Sequence, residues 1–330
     1  MTSVPIPRRI FLAGAAAASL PHGAAAAPAA WVPEQPLRIL VGYPPGGAVD
    51  ILVRVVGEGV QRLYGTPVVA EIRSGAYGFI AAQATAHAAP DGYTLCSAIM
   101  GMMCVLPAIP GVPVPLDLDK ELTPVAALAG TPMALVVRPD APFGDVDGLI
   151  AYAKQKNGAA TYASSGNGSI NHLGGALFCG ATGVSMTHVP YRGGAPAILD
   201  ITSGRVEVMF GNMPEFMGQI RDGGLRAVAY GAADASPLLP EVPVISRTGL
   251  PDFVIPNWFG VVMPGGASPA LVQRWNAEIN KALEAPEVQR RFTENGLQRL
   301  GGTREAFMQQ IAADRARWGK VIREHNIRPE

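Results

Sequence analysis

One stretch of the sequence, "SSGNGSINHLGG" at 164–175, has residue types that could support covalent chemistry. In a hydrolase, Ser165 or Ser169 would be the nucleophile and His172 its base, with hydroxyl and ring within about 3 Å. The alternative interpretation is structural. The serines and Asn167 form a turn, Ser169 caps the helix that follows, and His172 lies in its first turn. We favour the structural interpretation.

Other templates for catalysis or metal binding do not match. The chain has no Gly-x-Ser-x-Gly elbow, no phosphate-binding loop of the Gly-x4-Gly-Lys-Ser/Thr type and no His-Glu-x-x-His. The histidines beyond the first 30 residues never lie three or four positions apart: His87, His172, His188 and His325. We therefore expect no metal, no cofactor and no enzymatic activity.

Glycine-rich turns recur where a strand-like segment runs into a helical one. Four such turns occur: "GYPPGGAVD" (42–50), "RSGAYGF" (73–79), "SSGNGS" (164–169) and "YRGGAP" (191–196). The N-terminus of a helix presents unpaired backbone N–H groups and the positive end of its dipole, so it attracts anions. Glycine lets a ligand approach that backbone closely. Together the four turns predict a carboxylate-binding site in which loops facing each other across a cleft supply most of the binding groups from their backbone.

Asp50 is the one acid within these turns. At the start of a helix its carboxylate is expected to cap backbone N–H groups or to orient a bridging water. Direct contact with a ligand is the alternative, and Asp50 is kept among the candidate site residues.

Hydrophobic periodicity indicates an α/β protein. Apolar strands alternate with amphipathic helices from residue 37 onward, which predicts a parallel sheet covered by helices on both faces. The pattern restarts after the proline-rich stretch "LPAIPGVPVPLDL", and "WFGVVMP" (258–264) resembles a strand that returns to the first sheet. Ser268-Pro269 and Thr303 are helix starts. We predict two doubly wound α/β domains with a ligand cleft between them: 31–130 plus 253–330 forms domain I, and 131–252 forms domain II.

Composition and charge argue against further classes of function and indicate where the protein acts. Basic and acidic residues number 26 each, so no basic field is available to gather nucleic acid or to hold an anionic membrane. Residues 1–30 have Arg8-Arg9, an alanine-rich apolar stretch and small residues suited to cleavage, which predicts an export signal and a periplasmic protein. The signal is of the twin-arginine type or an ordinary secretory one. Cys96 and Cys104 either pair or, with Cys179, are buried thiols.

A set of motifs, in this order and spacing, resembles the periplasmic solute-binding receptors of tripartite tricarboxylate transporters, the Bug family. The motifs are "PPGGAVD", "AAPDGYTL", "YASSGNGSINHLGGALF", "HVPYRGGAPAILDITSGRVEVMF" and "LPEVPVISRTGLPDF". The resemblance covers about residues 31 to 325. It implies a periplasmic binding protein of type II-like fold, with two domains joined by crossing strands. It also implies a small carboxylate ligand, a permease partner of one large and one small subunit, and a monomeric receptor.

The resemblance also implies site residues. Loop backbone amides and hydroxyls hold the carboxylate, partly through ordered waters. The positions that match the family motifs are Tyr43, Pro44, Gly46, Gly47, Ala48, Val49, Asp50, Ser74 to Gly78 (including Ala76 and Tyr77), Ser164, Ser165, Asn167, Ser169, Tyr191, Arg192, Gly193, Gly194, Gly211 and Asn212.

This chain departs from the family pattern at several of these positions. Ala48-Val49 replaces a residue pair that usually includes a hydroxyl, Tyr77 adds an aromatic ring, and Gly211 stands where an acid is common. The departures favour an aromatic acid or a monocarboxylate over citrate. Met100, Met102 and Met103 either line the pocket or belong to the core.

The leading hypothesis is therefore a receptor that captures a carboxylate and closes around it. A receptor that presents its ligand to a signalling sensor is the second hypothesis, and the hydrolase based on Ser165 or Ser169 with His172 is the third.

Overall fold

The structure, a computed structural model, describes residues 32–232, 234, 236, 238–251, 253–324 and 327–328. The predicted export signal at 1–30 lies outside these residues, as does His325. Within the described chain, none of the helices combines the length and the apolar composition that a membrane span requires.

Strands and helices alternate along most of the chain, as predicted. The strands are β1 Leu37–Val41, β2 Val68–Ile72, β3 Thr94–Ile99, β4 Leu122–Val137, β5 Thr161–Ser164, β6 Thr187–Pro190, β7 Val208–Asn212, β8 Arg226–Tyr230, β9 Pro256–Pro264 and β10 Gln298–Arg299. The helices are α1 Ala48–Tyr64, α2 Phe79–Ala86, α3 Val146–Lys156, α4 Ile170–Thr182, α5 Gly194–Thr202, α6 Met213–Arg221, α7 Pro269–Glu284, α8 Pro286–Glu294 and α9 Arg304–Glu324.

The strands form one mixed sheet, in the order β2-β1-β3-β9-β4-β7-β5-β6, with β8 and β10 also paired to β4. Pairing is parallel where β1 meets β2 and β3, and where β5 meets β6 and β7. The predicted parallel pairing is confirmed for these strands, but the sheet as a whole is mixed, because β3 with β9 and β4 with β7, β8 and β9 are antiparallel. The returning segment 258–264 is confirmed as part of β9, beside β3.

Strand β4 belongs to both halves of this sheet. Its residues Leu122–Pro132 pair with β9, and its residues Met133–Val137 pair with β7 and β8. The first part of this strand contains Pro124 and Pro132, residues that are uncommon inside strands. Pro124 lies at a register shift between Pro124 and Ala126, where a missing N–H costs the ladder little.

Helix ends follow local sequence signals. The Ser268 hydroxyl accepts a hydrogen bond from the Leu271 N–H with Pro269 as the first residue of α7, and the Thr303 hydroxyl accepts one from the Ala306 N–H before α9. Both predicted helix starts are confirmed. Helix α1 ends at Gly65 in the left-handed conformation, with its N–H donating to the Gln61 carbonyl.

The apolar core contains Cys96, Cys104 and the three methionines Met100, Met102 and Met103, whereas Cys179, predicted to be buried, is only partly buried against it. Cys96 and Cys104 are each 1% exposed and are free thiols, as is Cys179, so the pairing alternative is not realised. Burial raises the pKa of the Cys96 thiol to about 12. Met100, Met102 and Met103 are buried in the hydrophobic cluster, which confirms the core interpretation for all three.

Candidate functional site

The four glycine-rich turns converge on one place. We name them loop 1 (42–47, after β1), loop 2 (73–78, after β2), loop 3 (165–169, after β5) and loop 4 (191–193, after β6). An outer cavity of about 610 Å³ is lined by residues of all four loops, together with Gly101, Leu106 and Pro190. Parallel strands of both halves of the sheet therefore bring their carboxyl ends to a common cleft, as expected for this fold class.

A smaller inner cavity of about 50 Å³ adjoins the outer one. The two cavities share lining residues: Tyr43, Pro44, Gly101, Ser165, Ser169 and Gly193. The inner cavity also reaches the first turns of α1, α4, α5 and α6 through residues such as Ala48, Asn171, Gly194 and Glu215.

Loops 1 and 2 touch backbone to backbone. A Cβ added at Gly42 would lie 2.6 Å from Cα of Gly78, so only glycine fits at position 42. The Tyr43 hydroxyl donates to the carbonyl of Tyr77 at 3.1 Å, and burial raises the pKa of Tyr43. These contacts fix one wall of the cleft.

Loop 2 has an unusual backbone. Four consecutive residues have positive φ: Gly75 (128°), Ala76 (44°), Tyr77 (59°) and Gly78 (93°). For Ala76 and Tyr77 this conformation costs about 1–2 kcal/mol per residue. Such strain concentrates at ligand-binding segments, where the surrounding structure enforces it.

Loops 1 and 4 meet across the cleft. A Cβ added at Gly193, which has φ 119°, would lie 3.2 Å from Cγ of Pro44. Loop 1 follows a strand of the first half of the sheet and loop 4 follows a strand of the second. The bare backbone at Gly193 therefore allows the two halves to approach each other.

Loop 3 supports the structural interpretation of its serines and histidine. The Ser169 hydroxyl accepts a hydrogen bond from the His172 backbone N–H at 3.2 Å, which caps α4. The Nδ1 atom of His172 accepts one from the Gly168 N–H, and the Ser165 hydroxyl donates to Oδ1 of Asn171. The two candidate nucleophiles therefore bond to a backbone N–H, for Ser169, and to an amide oxygen, for Ser165.

A serine–histidine contact does exist, between residues that the sequence did not pair. Ser164 Oγ lies 2.7 Å from Nε2 of His188, whose ring stacks on His172 with centroids 4.0 Å apart. Ser164 is completely buried, so its hydroxyl cannot reach a substrate. Ser164, His188 and His172 therefore connect β5, β6 and α4 next to loop 3.

The cleft offers groups that favour an anion. The N-cap residues of α1 and α5 are Gly47 and Gly193, which have no side chain to bond the first N–H groups of these helices. Arg192 is exposed, lines the outer cavity and makes no ion pair or hydrogen bond within the described chain. The Tyr191 hydroxyl is already committed to Asp200 at 2.8 Å, and burial followed by this bond raises the pKa of Tyr191 to about 12.

Glu215 is a site residue that the sequence reasoning missed. It lies in the first turn of α6 and lines the inner cavity. Asn212 Nδ2 donates to its Oε1 at 3.1 Å, and a Cβ added at Gly194 would lie 2.5 Å from its Oε2. Burial raises the pKa of Glu215 to about 7, against the opposing effects of Asn212 and the Ala48 N–H. Glu215, two residues after Met213, belongs to none of the sequence motifs described above, so only the structure shows that it lines the inner cavity.

Most of the predicted site residues line one cavity or both; Gly46, Asp50 and Ser164 do not. The Asp50 carboxylate accepts hydrogen bonds from the Gly46 N–H at 3.0 Å and from Arg54 at 2.8 Å, which matches the capping interpretation. Gly211 also lies outside the lining. A Cβ added there would collide with the ring of Phe216 and lie 3.3 Å from Nδ2 of Asn171, so a larger residue does not fit. Within the described part of the chain, no group of three His, Cys, Asp or Glu residues is placed to hold a metal.

Comparison with known proteins agrees with this geometry. The family model described as the tripartite tricarboxylate transporter family receptor (TctC) matches residues 52–327. The protein BugT of Bordetella pertussis is 35% identical over 294 residues, which cover 88% of this chain and 90% of BugT.

Solved structures of similar proteins have the same fold. One described as a periplasmic transporter has a TM-score of 0.86 and 34% identity, covering 90% of this chain and 99% of that one. Rpa4515 of R. palustris with adipate has a TM-score of 0.87 and 31% identity, with the same coverage. MatC of Rhodopseudomonas palustris with bound malate has a TM-score of 0.82 and 28% identity, covering 88% of this chain and 99% of MatC. This chain therefore has the fold of these periplasmic proteins, and it belongs to the tripartite tricarboxylate transporter receptor family.

Proposed function

We propose that this chain captures a small carboxylate-bearing metabolite in the periplasm and delivers it to a membrane permease of one large and one small subunit. The observation that carries the proposal is the convergence of four backbone loops, from both halves of the sheet, on adjoining cavities. Adipate and malate, which accompany two of the similar structures, are both small carboxylates.

The physical basis is anion capture by preorganised donors. Backbone N–H groups of the four loops around the outer cavity and the exposed Arg192 favour a negative ligand without a large basic field. The approach of Pro44 to Gly193 supports closure of two domains, 31–130 plus 253–330 and 131–252, around the ligand. Closure stabilises the complex because the ligand contacts both sides only in the closed form.

The proposed receptor is a monomer without a cofactor, and it performs no chemistry on its ligand. The segment 1–30 would direct its export and then be removed, by the twin-arginine or the ordinary secretory route. The capping role of Ser169 and the burial of Ser164 support a binding role over hydrolysis.

The test is a ligand panel on the mature protein. Isothermal titration calorimetry and thermal shift would compare adipate, malate and benzoate with adipamide, which has the shape of adipate but no carboxylate. We expect at least one acid to raise the Tm reversibly and adipamide to leave it unchanged. A broad panel of organic acids without any shift, on protein shown to be folded by circular dichroism, would overturn the proposal.

A further inference from the structure

Two polar atoms of residues that line the inner cavity have no hydrogen-bond partner within the described chain. One is Nδ2 of Asn171, a residue only 1% exposed; the other is Oε2 of Glu215, which is itself shielded from solvent. Both residues line the inner cavity. A buried donor and a buried acceptor without partners are costly, and such pairs mark places where a ligand or an ordered water completes the bonding.

The Glu215 carboxyl is held in a defined orientation. Asn257 Nδ2 donates to Oδ1 of Asn212 at 2.6 Å, which fixes the Asn212 amide so that its Nδ2 faces Oε1 of Glu215. The backbone N–H of Trp258 in turn donates to Oδ1 of Asn257 at 2.9 Å. This chain of bonds engages Oε1 and does not involve Oε2.

The same carboxyl lies at the N-terminal ends of α5 and α6 and close to that of α1. Gly194 is the first residue of α5 and has no side chain to block the approach of Oε2, while the Ala48 N–H of α1 is near enough to favour the charged form. A carboxylate of the protein therefore already occupies the inner position that helix dipoles favour for an anion. A ligand carboxylate in this position would meet a like charge in a small, poorly solvated space.

We propose that the inner cavity is a subsite for a neutral hydrogen-bonding end group of the ligand, and that Glu215 excludes a second carboxylate from it. A hydroxyl or a primary carboxamide carries both a donor, which suits Oε2 of Glu215, and an acceptor, which suits an amide donor such as Nδ2 of Asn171. The ligand carboxylate would then lie in the outer cavity, beside Arg192. The inference rests on the proposed function and narrows it to monocarboxylic acids with a neutral polar group at the far end.

The protonation behaviour of Glu215 supports this assignment. Its pKa of about 7, raised by burial, leaves it mainly charged in mildly alkaline solution and mainly neutral in mildly acidic solution. Tyr43 is the other titratable side chain lining the inner cavity. The charges on the packed elements have partners of their own: Asp50 with Arg54 on α1, Asp200 with Tyr191 and Arg205 at α5, and Arg221 of α6 with the Glu294 carbonyl; β4 and β7 carry no ionisable side chain.

Three ligands with the same carbon chain test the proposal by calorimetry at about pH 8: 6-hydroxyhexanoate, adipamate and adipate. We expect the hydroxy acid and the half-amide to bind the natural protein at least about tenfold more tightly than adipate. In Glu215→Gln this preference should fall by about tenfold, because the neutral amide no longer repels the second carboxylate. Glu305→Gln, which removes an exposed acid from the first turn of α9, is the matched control and should keep the preference.

The natural protein alone supplies a second measurement, in case Glu215→Gln does not fold. Titrations in buffers of different ionisation enthalpy should show that adipate binding takes up a proton near neutral pH and that 6-hydroxyhexanoate binding does not. Equal or tighter binding of adipate without proton uptake, or an unchanged preference in a folded Glu215→Gln, overturns this inference and leaves the proposed function standing. Absence of binding by every acid overturns the proposed function and this inference with it.

Discussion

The hydroxyl of Tyr43 donates to the backbone carbonyl of Tyr77 across the two loops of the first half of the sheet, at 3.1 Å. Tyr77 is one of two non-glycine residues of loop 2 with a left-handed backbone. The bond therefore joins the tyrosine of loop 1 to the strained part of loop 2. It gives a physical reason for an aromatic residue with a hydroxyl at position 43.

Removal of this hydroxyl should loosen loop 2. Tyr43→Phe leaves the Tyr77 carbonyl without its partner, and we expect a loss of about 1 kcal/mol in the free energy of unfolding. We also expect weaker ligand binding, because loop 2 lines the outer cavity. Denaturant melts and calorimetry measure the two effects. Tyr152→Phe removes a hydroxyl bonded to Glu207, away from the cleft, and should change stability without changing affinity; equal affinities for both variants would contradict a role of Tyr43 in the site.

The contact between Gly193 and Pro44 makes a second prediction. Gly193→Ala puts an alanine at a φ of 119°, which is unfavourable for a residue with a Cβ. The new Cβ would also lie 3.2 Å from Pro44, so we expect loop 4 to move away from loop 1. Backbone strain at this glycine-only conformation should cost about 1–3 kcal/mol of stability. The displaced loop should also reduce affinity for carboxylates by about tenfold or more.

Gly249→Ala is the matched control for this change. Gly249 has φ 90° and no atom within 4 Å of an added Cβ, so it imposes backbone strain without a new contact. It should lower the Tm while leaving the affinity unaltered. A Gly193→Ala protein that binds as tightly as Gly249→Ala would show that the cleft does not need the two loops in contact.

Glu215 makes stability depend on pH in the ligand-free protein. Its pKa is raised from 4.5 to about 7 in the folded state, so between these values the folded protein holds the proton more firmly than the unfolded chain. The contribution is present below about pH 4.5 and is lost as the pH rises through about 7. Relative to Glu215→Gln, the natural protein should therefore lose several degrees of Tm between about pH 5 and about pH 8. Parallel Tm-against-pH curves for the two proteins would contradict the raised pKa.

Much of the architecture is predictable from local sequence patterns. Helix starts at Ser268 and Thr303 follow from capping residues, and the strand-to-helix turns follow from glycine and proline. The antiparallel course of β4 and β9 was not predictable, because pairing direction depends on where distant strands meet and not on their own periodicity. The full length of β4 was not predictable either, because Pro124 and Pro132 are residue types that strands disfavour and only their register with β9 shows them to be paired.

Some residues of the candidate site were also predictable from the sequence, and others were not. Backbone-based residues such as Gly47 and Gly193 follow from their turns, and Asp50 behaves as a cap for reasons visible in the sequence. Glu215 and Asn171 were missed, since each lies in the first turn of a helix and reaches the inner cavity only because α4 and α6 converge there. The contact of Ser164 with His188 was not predictable, because His188 approaches it only through the pairing of β5 with β6.

The last prediction concerns the contribution of the positive charge of Arg192 to ligand binding at the outer cavity. It is exposed and makes no ion pair within the described chain, so it is available to a ligand carboxylate. Arg192→Ala should weaken binding of a monocarboxylate about three- to tenfold, and the natural protein should lose this advantage as salt screens the charge. Arg62→Ala, which removes an exposed cation from the last turn of α1, should leave both the affinity and its salt dependence unchanged. If calorimetry at low and high salt gives the same result for both variants, the carboxylate is held by backbone amides without help from Arg192.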